Sequence, residues 1–253
     1  MEQPGRTALI TGAGRGIGRA VALALARDGV RLALAGRHHD TLDAVAAEVA
    51  HVLPDGPFVV EMDVADPDSI DAGVKRLDAV FGHVDILVNN AGIAESAPLS
   101  RTDLDLWNRH LAVNATGAFL LTRAILPGML ERRWGRVVNV ASTAALAGFP
   151  YVAAYVASKH ALLGLTRAVA AETAGTGVTV NAICPGFVAT DLVWTSARRI
   201  AERTGKPFEE AVATLARFNA SGRLVEPAAV ATAVLDFAAE AAAGRTGEAL
   251  VIE

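Results

Sequence analysis

The 253-residue sequence is poor in several residue classes, and each shortage narrows what the protein can be. Cys184 is the single cysteine, which excludes an intrachain disulfide and a cysteine-based metal cage, so no metal site is predicted. Aromatic residues make up only 5% of the chain, and the formal net charge is −4. No basic run resembles a nucleic-acid footprint, so we expect no nucleic-acid partner.

Long hydrophobic runs are also missing from the sequence. No stretch approaches the ~18 uninterrupted apolar residues that a membrane span needs, so we expect no membrane partner. Residues 1–6 have neither the basic nor the apolar region of a secretory signal. Together with the lone cysteine, these features predict a cytoplasmic protein.

What the sequence does have is a regular alternation of strand-like and helix-like segments. We predict an α/β fold: one doubly wound, Rossmann-like domain over residues 1–253, with a parallel sheet of about seven strands and helices on both faces. Residues 104–130 predict a long helix interrupted at Pro127-Gly128, and residues 151–173 predict another helix. The predicted strands cover residues 8–10, 31–35, 58–62, 85–88, 136–140, 178–183 and 249–252.

A glycine-rich turn lies between the first predicted strand and the first predicted helix. Gly12, Gly16 and Gly18 allow a tight turn and let a ligand approach the backbone. The helix that follows offers unpaired N–H groups and the positive end of its dipole, which suit a pyrophosphate. The placement of this turn after a strand and before a helix predicts a dinucleotide site, although a glycine-rich connection without a ligand has the same composition.

The charge after the second strand indicates which dinucleotide binds. An NAD site usually presents an acid there, whereas an NADP site presents an arginine to the 2′-phosphate. This sequence has Arg37 at that point and no acid, and Arg15 in the glycine turn could join it on the same phosphate. We therefore favour NADP(H) as the cofactor, with NAD(H) possible.

Tyr155 and Lys159 are four residues apart in the helix predicted over residues 151–173. That spacing puts the phenol and the ammonium on one face of the helix. A nearby cation stabilises a phenolate and lowers its pKa, which would make Tyr155 a general acid or base. Taken alone, the pair is more often a half-buried tyrosine beside a solvated lysine.

Several motifs, which follow one another along the chain in the family's order, make the sequence similar to the short-chain dehydrogenase/reductase family. They are the glycine turn at residues 11–18, the Asn-Asn-Ala-Gly segment at 89–92, the Pro-Gly motif at 185–186 with Thr190 beyond it, and the catalytic tetrad, which this resemblance places at Asn114, Ser142, Tyr155 and Lys159. The resemblance runs from about residue 5 to the end of the chain. It implies hydride transfer between a nicotinamide cofactor and a carbonyl or secondary alcohol.

The resemblance also implies a set of cofactor contacts. Asp63 and Val64 would meet the adenine, and Ile17 the pyrophosphate region. Lys159 would hold the nicotinamide ribose, so that Tyr155 and Lys159 belong to both cofactor and substrate sites. The full set of implied cofactor residues is Gly12, Arg15, Gly16, Ile17, Gly18, Arg37, Asp63, Val64, Asn90, Ala91, Gly92, Tyr155, Lys159, Pro185, Gly186, Val188 and Thr190.

In the implied chemistry, Ser142 orients the carbonyl, Tyr155 transfers the proton, Lys159 lowers the phenol pKa and Asn114 holds a water. Simpler interpretations stay open for two of these residues. Asn114 could tie a helix to the sheet, and Ser142 could cap a strand end, with Thr143 as a competing hydroxyl.

The stretch from about residue 191 to 222 is predicted to form a substrate lid, with a break at residues 205–207. Candidates for an apolar wall are Leu192, Trp194, Phe218 and Phe149, and Tyr151 is expected at the substrate mouth. Ordinary packing is as good an interpretation for each wall residue singly. Cys184 is expected in the core or a pocket wall.

The motifs resemble most those of reductases for β-ketoacyl thioesters and aromatic polyketides. The predicted substrate is thus a ketone or alcohol, free or carried on CoA or an acyl carrier protein. The arginines at 132, 133 and 136 would meet such a carrier or form a solvated helix end. An NAD-dependent dehydrogenase of a hydroxyacyl-CoA or cyclic alcohol, and a catalytically silent dinucleotide sensor, are the alternatives. The resemblance also implies a homotetramer.

Overall fold

The computed structural model describes residues 5–253, so residues 1–4 of the predicted domain lie outside the described part. Seven strands form one sheet in which every neighbouring pair is parallel, in the order β3-β2-β1-β4-β5-β6-β7. The predicted doubly wound sheet is therefore confirmed. The strands are β1 (Thr7–Thr11), β2 (Arg31–Gly36), β3 (Phe58–Glu61), β4 (Ile86–Asn89), β5 (Gly135–Val140), β6 (Val178–Pro185) and β7 (Ala249–Ile252).

Helices cover both faces of this sheet, because strands buried on both sides need an apolar cover on each. The helices are α1 (Gly16–Arg27), α2 (His39–Ala50), α3 (Pro67–Phe81), α4 (Leu104–Leu111), α5 (Gly117–Glu131), α6 (Ala153–Glu172), α7 (Asp191–Thr204), α8 (Phe208–Ala216) and α9 (Pro227–Ala238). Helices α1, α2 and α9 share one buried cluster with Ala8 and Ile10 of β1. Helices α3, α5 and α6 share the opposite cluster with Leu9.

The order of the strands reverses at β1, whose neighbours are β2 on one side and β4 on the other. The crossovers leaving β1 and β4 therefore diverge and open a crevice at the carboxyl ends of these strands. The glycine turn follows β1 and the Asn90–Gly92 segment follows β4, so the topology brings both motifs to that crevice.

The helical region from Leu104 to Glu131 is continuous, and the predicted break at Pro127-Gly128 is wrong. Helix α5 continues through Pro127, where the missing amide hydrogen costs one hydrogen bond while Ile125 and Met129 on either side are buried. The stretch is long and apolar enough to cross a membrane. Its buried side chains nevertheless pack on the sheet, as those of a core helix do.

The irregularity of this region is a π turn at Ala112–Thr116, which joins α4 to α5. Such turns insert an extra residue into the helical ladder and are frequent at functional sites. Here the turn carries Asn114, whose side chain is buried. The local distortion thus determines where this polar side chain points.

The three arginines near the end of α5 occupy different environments. Arg136 is 1% exposed and donates to the carbonyls of Gly135 and Gly177, at 2.9 and 3.1 Å. Burial lowers the pKa of this guanidinium. Both predictions for Arg136, a carrier contact and a solvated helix end, are therefore wrong. Arg132 donates to the Val84 carbonyl, and Arg133 is exposed.

Tyr151 lies outside the helix that was predicted to include it. Helix α6 begins at Ala153, and Tyr151 is 68% exposed with a φ of 65°. Its backbone is in the left-handed region. A residue with a side chain cannot adopt that conformation inside an α-helix without strain. Tyr151 is therefore a loop residue in front of α6.

Helices α7 and α8 form a pair with a small apolar cluster of its own, built on Val193, Ala197, Ala211 and Leu215. Gly205 ends α7 in the left-handed conformation, and Pro207 precedes α8. The predicted break at residues 205–207 is confirmed. We call residues 191–222, which contain both helices, the α7–α8 segment.

Candidate active site

The turn between β1 and α1 has the shape of a dinucleotide cradle. Gly12 and Gly16 have φ values of 63° and 53°, which side-chain-bearing residues rarely adopt. A Cβ at Gly18 would collide with the Gly12 carbonyl oxygen. No side chain caps α1, because Arg15 at its N-cap makes no such hydrogen bond. The first amides of α1, including that of Ile17, therefore lack intrahelical acceptors, as an anion site requires.

The segment after β4 is tied directly to this turn. Asn90 donates through Nδ2 to the carbonyl oxygens of Thr11 and Gly12, at 2.8 and 3.2 Å. The backbone amides of Asn90 and Ala91 both donate to the Thr11 hydroxyl, at 3.0 Å each. The Asn90 side chain thus holds the glycine turn against the segment after β4.

The two arginines predicted to share a phosphate differ in their surroundings. Arg37 follows β2, is exposed and forms no ion pair with any residue between 5 and 253. The Arg15 guanidinium instead lies 3.9 Å from the carboxylate of Asp191, the first residue of α7. The structure therefore leaves Arg37 available to an anion and places Arg15 between the glycine turn and the α7–α8 segment.

Asp63 and Val64 follow β3 on the same side of the crevice. The Asp63 carboxylate accepts from the Ala65 amide at 2.9 Å, which fixes the turn, and Asp63 itself is half-buried. Val64 is 8% exposed and packs under the start of α5, where a Cβ at Gly117 would collide with its carbonyl. Both residues line the edge of the site that the resemblance assigns to the adenine.

Lys159 and Asn114 meet beside Gly92. The Lys159 ammonium donates to the Val140 carbonyl, at the carboxyl end of β5, at 2.8 Å. A Cβ at Gly92 would lie 3.3 Å from Asn114 Oδ1 and 3.6 Å from Lys159 Nζ, so glycine leaves the space between these groups open. Burial lowers the pKa of Lys159 to about 8. The amine is therefore still mostly charged at neutral pH.

Asn114 fastens two segments through its amide. Its Oδ1 accepts from the Ile93 amide at 2.8 Å, and its Nδ2 donates to the Ile93 carbonyl and to the Ser158 hydroxyl, at 3.0 and 2.9 Å. The open interpretation of Asn114 as a structural tie thus matches the geometry. It holds the loop after β4 against α6, immediately before Lys159.

Ser142 and Tyr155 face each other across the end of β5. The Ser142 hydroxyl accepts from the Ala144 amide at 3.1 Å and so caps the short helix Thr143–Ala145. Ser142 therefore does act as a cap, but it caps this short helix and not the end of β5, which lies at Val140. Its side chain also acts on the Tyr155 phenol, where it lowers the pKa.

The resemblance implies that Lys159 lowers the pKa of Tyr155, and this role stays a prediction. Burial of the phenol is the largest influence and raises the Tyr155 pKa above its usual value. The Lys159 ammonium lies 5.8 Å from the centre of the tyrosine ring. Desolvation of the phenolate outweighs the lowering effect of the Ser142 hydrogen bond.

The segment after β6 closes the crevice from the other side. Gly186 continues the sheet contact by donating to the Ile252 carbonyl at 2.9 Å, and Val188 is 5% exposed. A Cβ at Gly16 would lie 3.1 Å from the Thr190 methyl, so the Pro185–Thr190 segment meets the glycine turn directly. The fold therefore brings the glycine turn and the Pro-Gly motif, the first and last motifs along the chain, into contact.

The residues proposed for an apolar wall separate into two groups. Phe149 and Phe218 pack with Phe187, and the three ring centroids lie 5.6 to 6.4 Å apart. Trp194 instead packs on Phe208 within the α7–α8 segment, as ordinary packing would have it. Cys184 is fully buried, as expected.

Sequence reasoning missed two buried residues beside the site. His110 accepts from the Glu95 amide through Nε2 at 3.0 Å, and its ring packs edge-on against Tyr155, with centroids 6.5 Å apart. Asn219 is 2% exposed and hydrogen-bonds the backbone of Phe187. The only sequence signal for His110 was a polar residue at a helix position where the spacing predicts an apolar one. Nothing in the local sequence distinguished Asn219.

The doubly wound sheet, the glycine cradle and the tyrosine–lysine pair at the strand ends together define a class of nicotinamide-dependent oxidoreductases. The model of the short chain dehydrogenase family matches residues 6–201, and the chain belongs to this family. The resemblance read from the sequence is thus confirmed.

Individual relatives fall within the same chemistry. The chain is 40% identical to D-beta-hydroxybutyrate dehydrogenase of Cupriavidus necator over 242 residues, with 94% of this chain and 92% of the relative covered. It is 39% identical to 3-oxoacyl-[acyl-carrier-protein] reductase FabG of Vibrio cholerae, with 99% and 96% covered. The solved structure of a variant of actinorhodin polyketide ketoreductase with NADPH is similar, with a TM-score of 0.93, 34% identity, and 100% and 97% covered.

Proposed function

We propose that this protein is an NADP(H)-dependent carbonyl reductase, acting on a β-ketoacyl or polyketide-type ketone. The observation that carries the proposal is the meeting of Ser142, Tyr155 and Lys159 at the strand ends, beside a glycine cradle that fits a dinucleotide. The family supports oxidoreductase activity, and relatives named as ketoacyl reductases and a polyketide ketoreductase support a ketone as the substrate.

The residues of the crevice fit the cofactor. The open amides of α1 and the glycines 12, 16 and 18 would hold the pyrophosphate, and Asp63, Val64 and Ala91 the adenosine. Arg37 is exposed and forms no ion pair within residues 5–253, and it suits a 2′-phosphate, since a guanidinium forms charge-assisted hydrogen bonds with phosphate oxygens. Gly92 and the residues Pro185, Gly186, Val188 and Thr190 would enclose the nicotinamide end, with Lys159 on its ribose. When bound, the cofactor supplies or accepts the hydride.

Tyr155 would transfer the proton that balances the hydride. In the reductive direction, the phenol gives its proton to the carbonyl oxygen as the carbonyl carbon receives the hydride. The raised pKa of Tyr155 keeps the phenol protonated at neutral pH, which is the form that reduction needs. Ser142 would hold the same oxygen by a hydrogen bond, and the charge of Lys159 would stabilise the phenolate left behind.

The substrate would enter between the loop after Ser142 and the α7–α8 segment, which we propose to act as a lid. Phe149, Phe187 and Phe218 offer it an aromatic surface. A CoA or acyl-carrier thioester fits the relatives named for acyl-carrier substrates. By resemblance to the family, we further propose a cytoplasmic homotetramer.

A second candidate is an NAD-dependent dehydrogenase of a hydroxy acid, its CoA ester or a cyclic alcohol. The relative named D-beta-hydroxybutyrate dehydrogenase favours it. The two functions differ in cofactor and in direction. They are separated by measuring consumption of NADPH or NADH on acetoacetate, acetoacetyl-CoA and α-tetralone, and formation of NADH from 3-hydroxybutyrate. No turnover with any of these, together with tight cofactor binding, would instead support a silent dinucleotide sensor.

Replacement of Arg37 tests the choice of cofactor. Arg37→Ala should weaken NADPH binding about tenfold, roughly the free energy of one charge-assisted hydrogen bond, and leave NADH binding unchanged. Titration of both cofactors by calorimetry measures the difference. Arg27→Ala is the matched control, because Arg27 lies at the end of α1 that is farther from the glycine turn. A preference for NADPH that is equal in Arg37→Ala and wild type would refute the phosphate assignment.

A further inference from the structure

The loop that would enclose the nicotinamide is held by one side chain of the α7–α8 segment. Asn219 Oδ1 accepts from the Phe187 amide at 2.7 Å, and Asn219 Nδ2 donates to the Phe187 carbonyl at 3.0 Å. The same Nδ2 donates to the Arg223 carbonyl at 2.6 Å. One amide therefore pairs both backbone groups of Phe187, which stands between Gly186 and Val188.

The Phe187 backbone depends unequally on these two bonds. Its carbonyl also accepts from the Val225 amide at 2.9 Å, so it keeps a partner if Asn219 is removed. Among residues 5–253, the Phe187 amide has Asn219 Oδ1 as its acceptor. Because Asn219 is 2% exposed, water cannot simply replace that acceptor.

Gly186 is shaped around the same side chain. A Cβ at this position would collide with Asn219 Oδ1 and come within 2.9 Å of Asn219 Cγ. Asn219 therefore occupies the volume that a side chain on the loop would need. The glycine of the Pro-Gly motif has a packing requirement here that comes from the α7–α8 segment.

Phe218, the residue before Asn219, adds an apolar contact to the hydrogen bonds of Asn219. The Phe218 ring packs on Phe187 with centroids 5.6 Å apart, and on Phe149 at 5.9 Å. Phe149 lies in the loop that leads from Ser142 to Tyr155. Phe218 thus contacts the Phe187 loop through its ring, and Asn219 contacts it through its amide. Phe218 also connects the Phe187 loop to the loop between Ser142 and Tyr155, two proposed catalytic residues.

We propose that Asn219 is a positioning residue for hydride transfer, which fixes the loop around Phe187 and so the distance between nicotinamide and substrate. The proposal rests on the proposed reductase function. Asn219 touches neither reacting group and acts through the Phe187 backbone. Small misplacements of a reacting centre cost rate much more than they cost binding, so the effect should fall on the chemical step.

The test compares Asn219→Ala with the wild-type protein, using NADPH with acetoacetyl-CoA and α-tetralone. We expect kcat to fall about 10- to 100-fold, with the NADPH dissociation constant changing much less. A primary isotope effect with NADPH deuterated at the transferred position should increase, because hydride transfer becomes slower than product release. Hydrogen exchange of the Phe187 amide, followed by NMR, should accelerate in the same variant.

Ser221→Ala is the matched control. The Ser221 hydroxyl also bonds the backbone of Arg223 but makes no contact with Phe187, and it is exposed. It should leave kcat and Phe187 exchange as in the wild type. Equal losses of kcat in Ser221→Ala and Asn219→Ala would overturn the proposal, as would unchanged exchange of the Phe187 amide in Asn219→Ala.

Two further variants keep the test decisive. Asn219→Asp retains the acceptor for the Phe187 amide and loses the Nδ2 donor, so its loss of kcat should be smaller than that of Asn219→Ala. Gly186→Ala should lower kcat, and less so when Asn219→Ala removes the colliding oxygen. Additive effects in that pair would contradict the assignment. If the wild type reduces no ketone, the proposed function fails, while Phe187 exchange still reports whether Asn219 holds the loop.

Discussion

The centre of the sheet and the α7–α8 segment use their polar side chains in opposite ways. At the ends of β4 and β5, Asn89 donates to Asn139, and Asn139 donates to Thr166, each at 2.8 Å and each buried. In the α7–α8 segment, the Ser196 and Thr214 hydroxyls donate to carbonyls of their own helices in exposed hydrogen bonds. The centre is therefore cross-linked between elements, whereas α7 and α8 are linked mainly to themselves.

This difference agrees with the two proposed roles, a reaction centre that stays fixed and a lid that moves. Proton and hydride transfer require preorganised groups, and Ser142, Asn114 and Lys159 are all bonded to neighbouring backbone or side chains. A lid needs few contacts that cross to the rest of the fold, so that it can open. The structure shows two such crossing contacts of the α7–α8 segment. They are the hydrogen bond between Asn219 and Phe187 and the ion pair between Asp191 and Arg15.

The largest effect on the free energy of unfolding is expected from a substitution at the centre of the sheet. Asn139→Ala removes an acceptor from Asn89 and a donor to Thr166 and leaves buried polar groups without partners, which should cost about 3 kcal/mol of unfolding free energy. Urea denaturation measures it.

Ser196→Ala is the comparison variant in α7. Its hydroxyl is exposed, so the loss should stay within about 0.5 kcal/mol. Equal effects of Asn139→Ala and Ser196→Ala on the unfolding free energy would remove the distinction between a cross-linked centre and a loosely attached lid.

A more gradual effect, spread over the pH range above about 8, is expected from the titration of Lys159, which burial should place near pH 8. The unfolded chain, with a lysine pKa near ~10.4, binds more protons between these values. The contribution of Lys159 to stability should therefore rise with pH from about 8 upward, by at most about 1.4 kcal/mol per pH unit. At neutral pH the buried charge costs about 3 kcal/mol.

Three lysines in the chain make this titration simple to follow. NMR of the side-chain amines should show one midpoint near 8, assigned by its absence in Lys159→Met. Lys206, exposed in an ion pair with Glu210, serves as the reference signal. A Lys159 midpoint at the usual value for lysine would mean that the ammonium is solvated and the centre is less closed than the structure shows.

The sequence was sufficient for the sheet and for the motifs at its carboxyl edge. Strand alternation predicts the parallel sheet, and the glycine turn and the Asn90–Gly92 segment identify the crevice because both must follow strands β1 and β4. The Tyr155–Lys159 spacing predicts one helix face correctly, since α6 spans both residues. These features are local, and a local pattern is enough to find them.

Features that depend on distant partners could not be found in the same way. Arg136 looks like a surface residue until the strand and loop carbonyls around it are in place. The composition of Ala112–Thr116 does not indicate a π turn. The turn depends on the position of Asn114, which must hydrogen-bond the distant residue Ile93. Asn219 is recognisable only once Phe187, 32 residues away, is beside it.

Tyr155 is the proposed proton donor in ketone reduction, and Tyr155→Phe removes that donor. The phenyl ring keeps the packing and loses the hydroxyl, so kcat should fall at least about a thousandfold while NADPH still binds. Tyr151→Phe, at the only other tyrosine, removes an exposed hydroxyl that takes no part in the proposed proton transfer, so kcat should fall far less than in Tyr155→Phe. A Tyr155→Phe protein that still reduces the ketone at the wild-type rate would contradict the account.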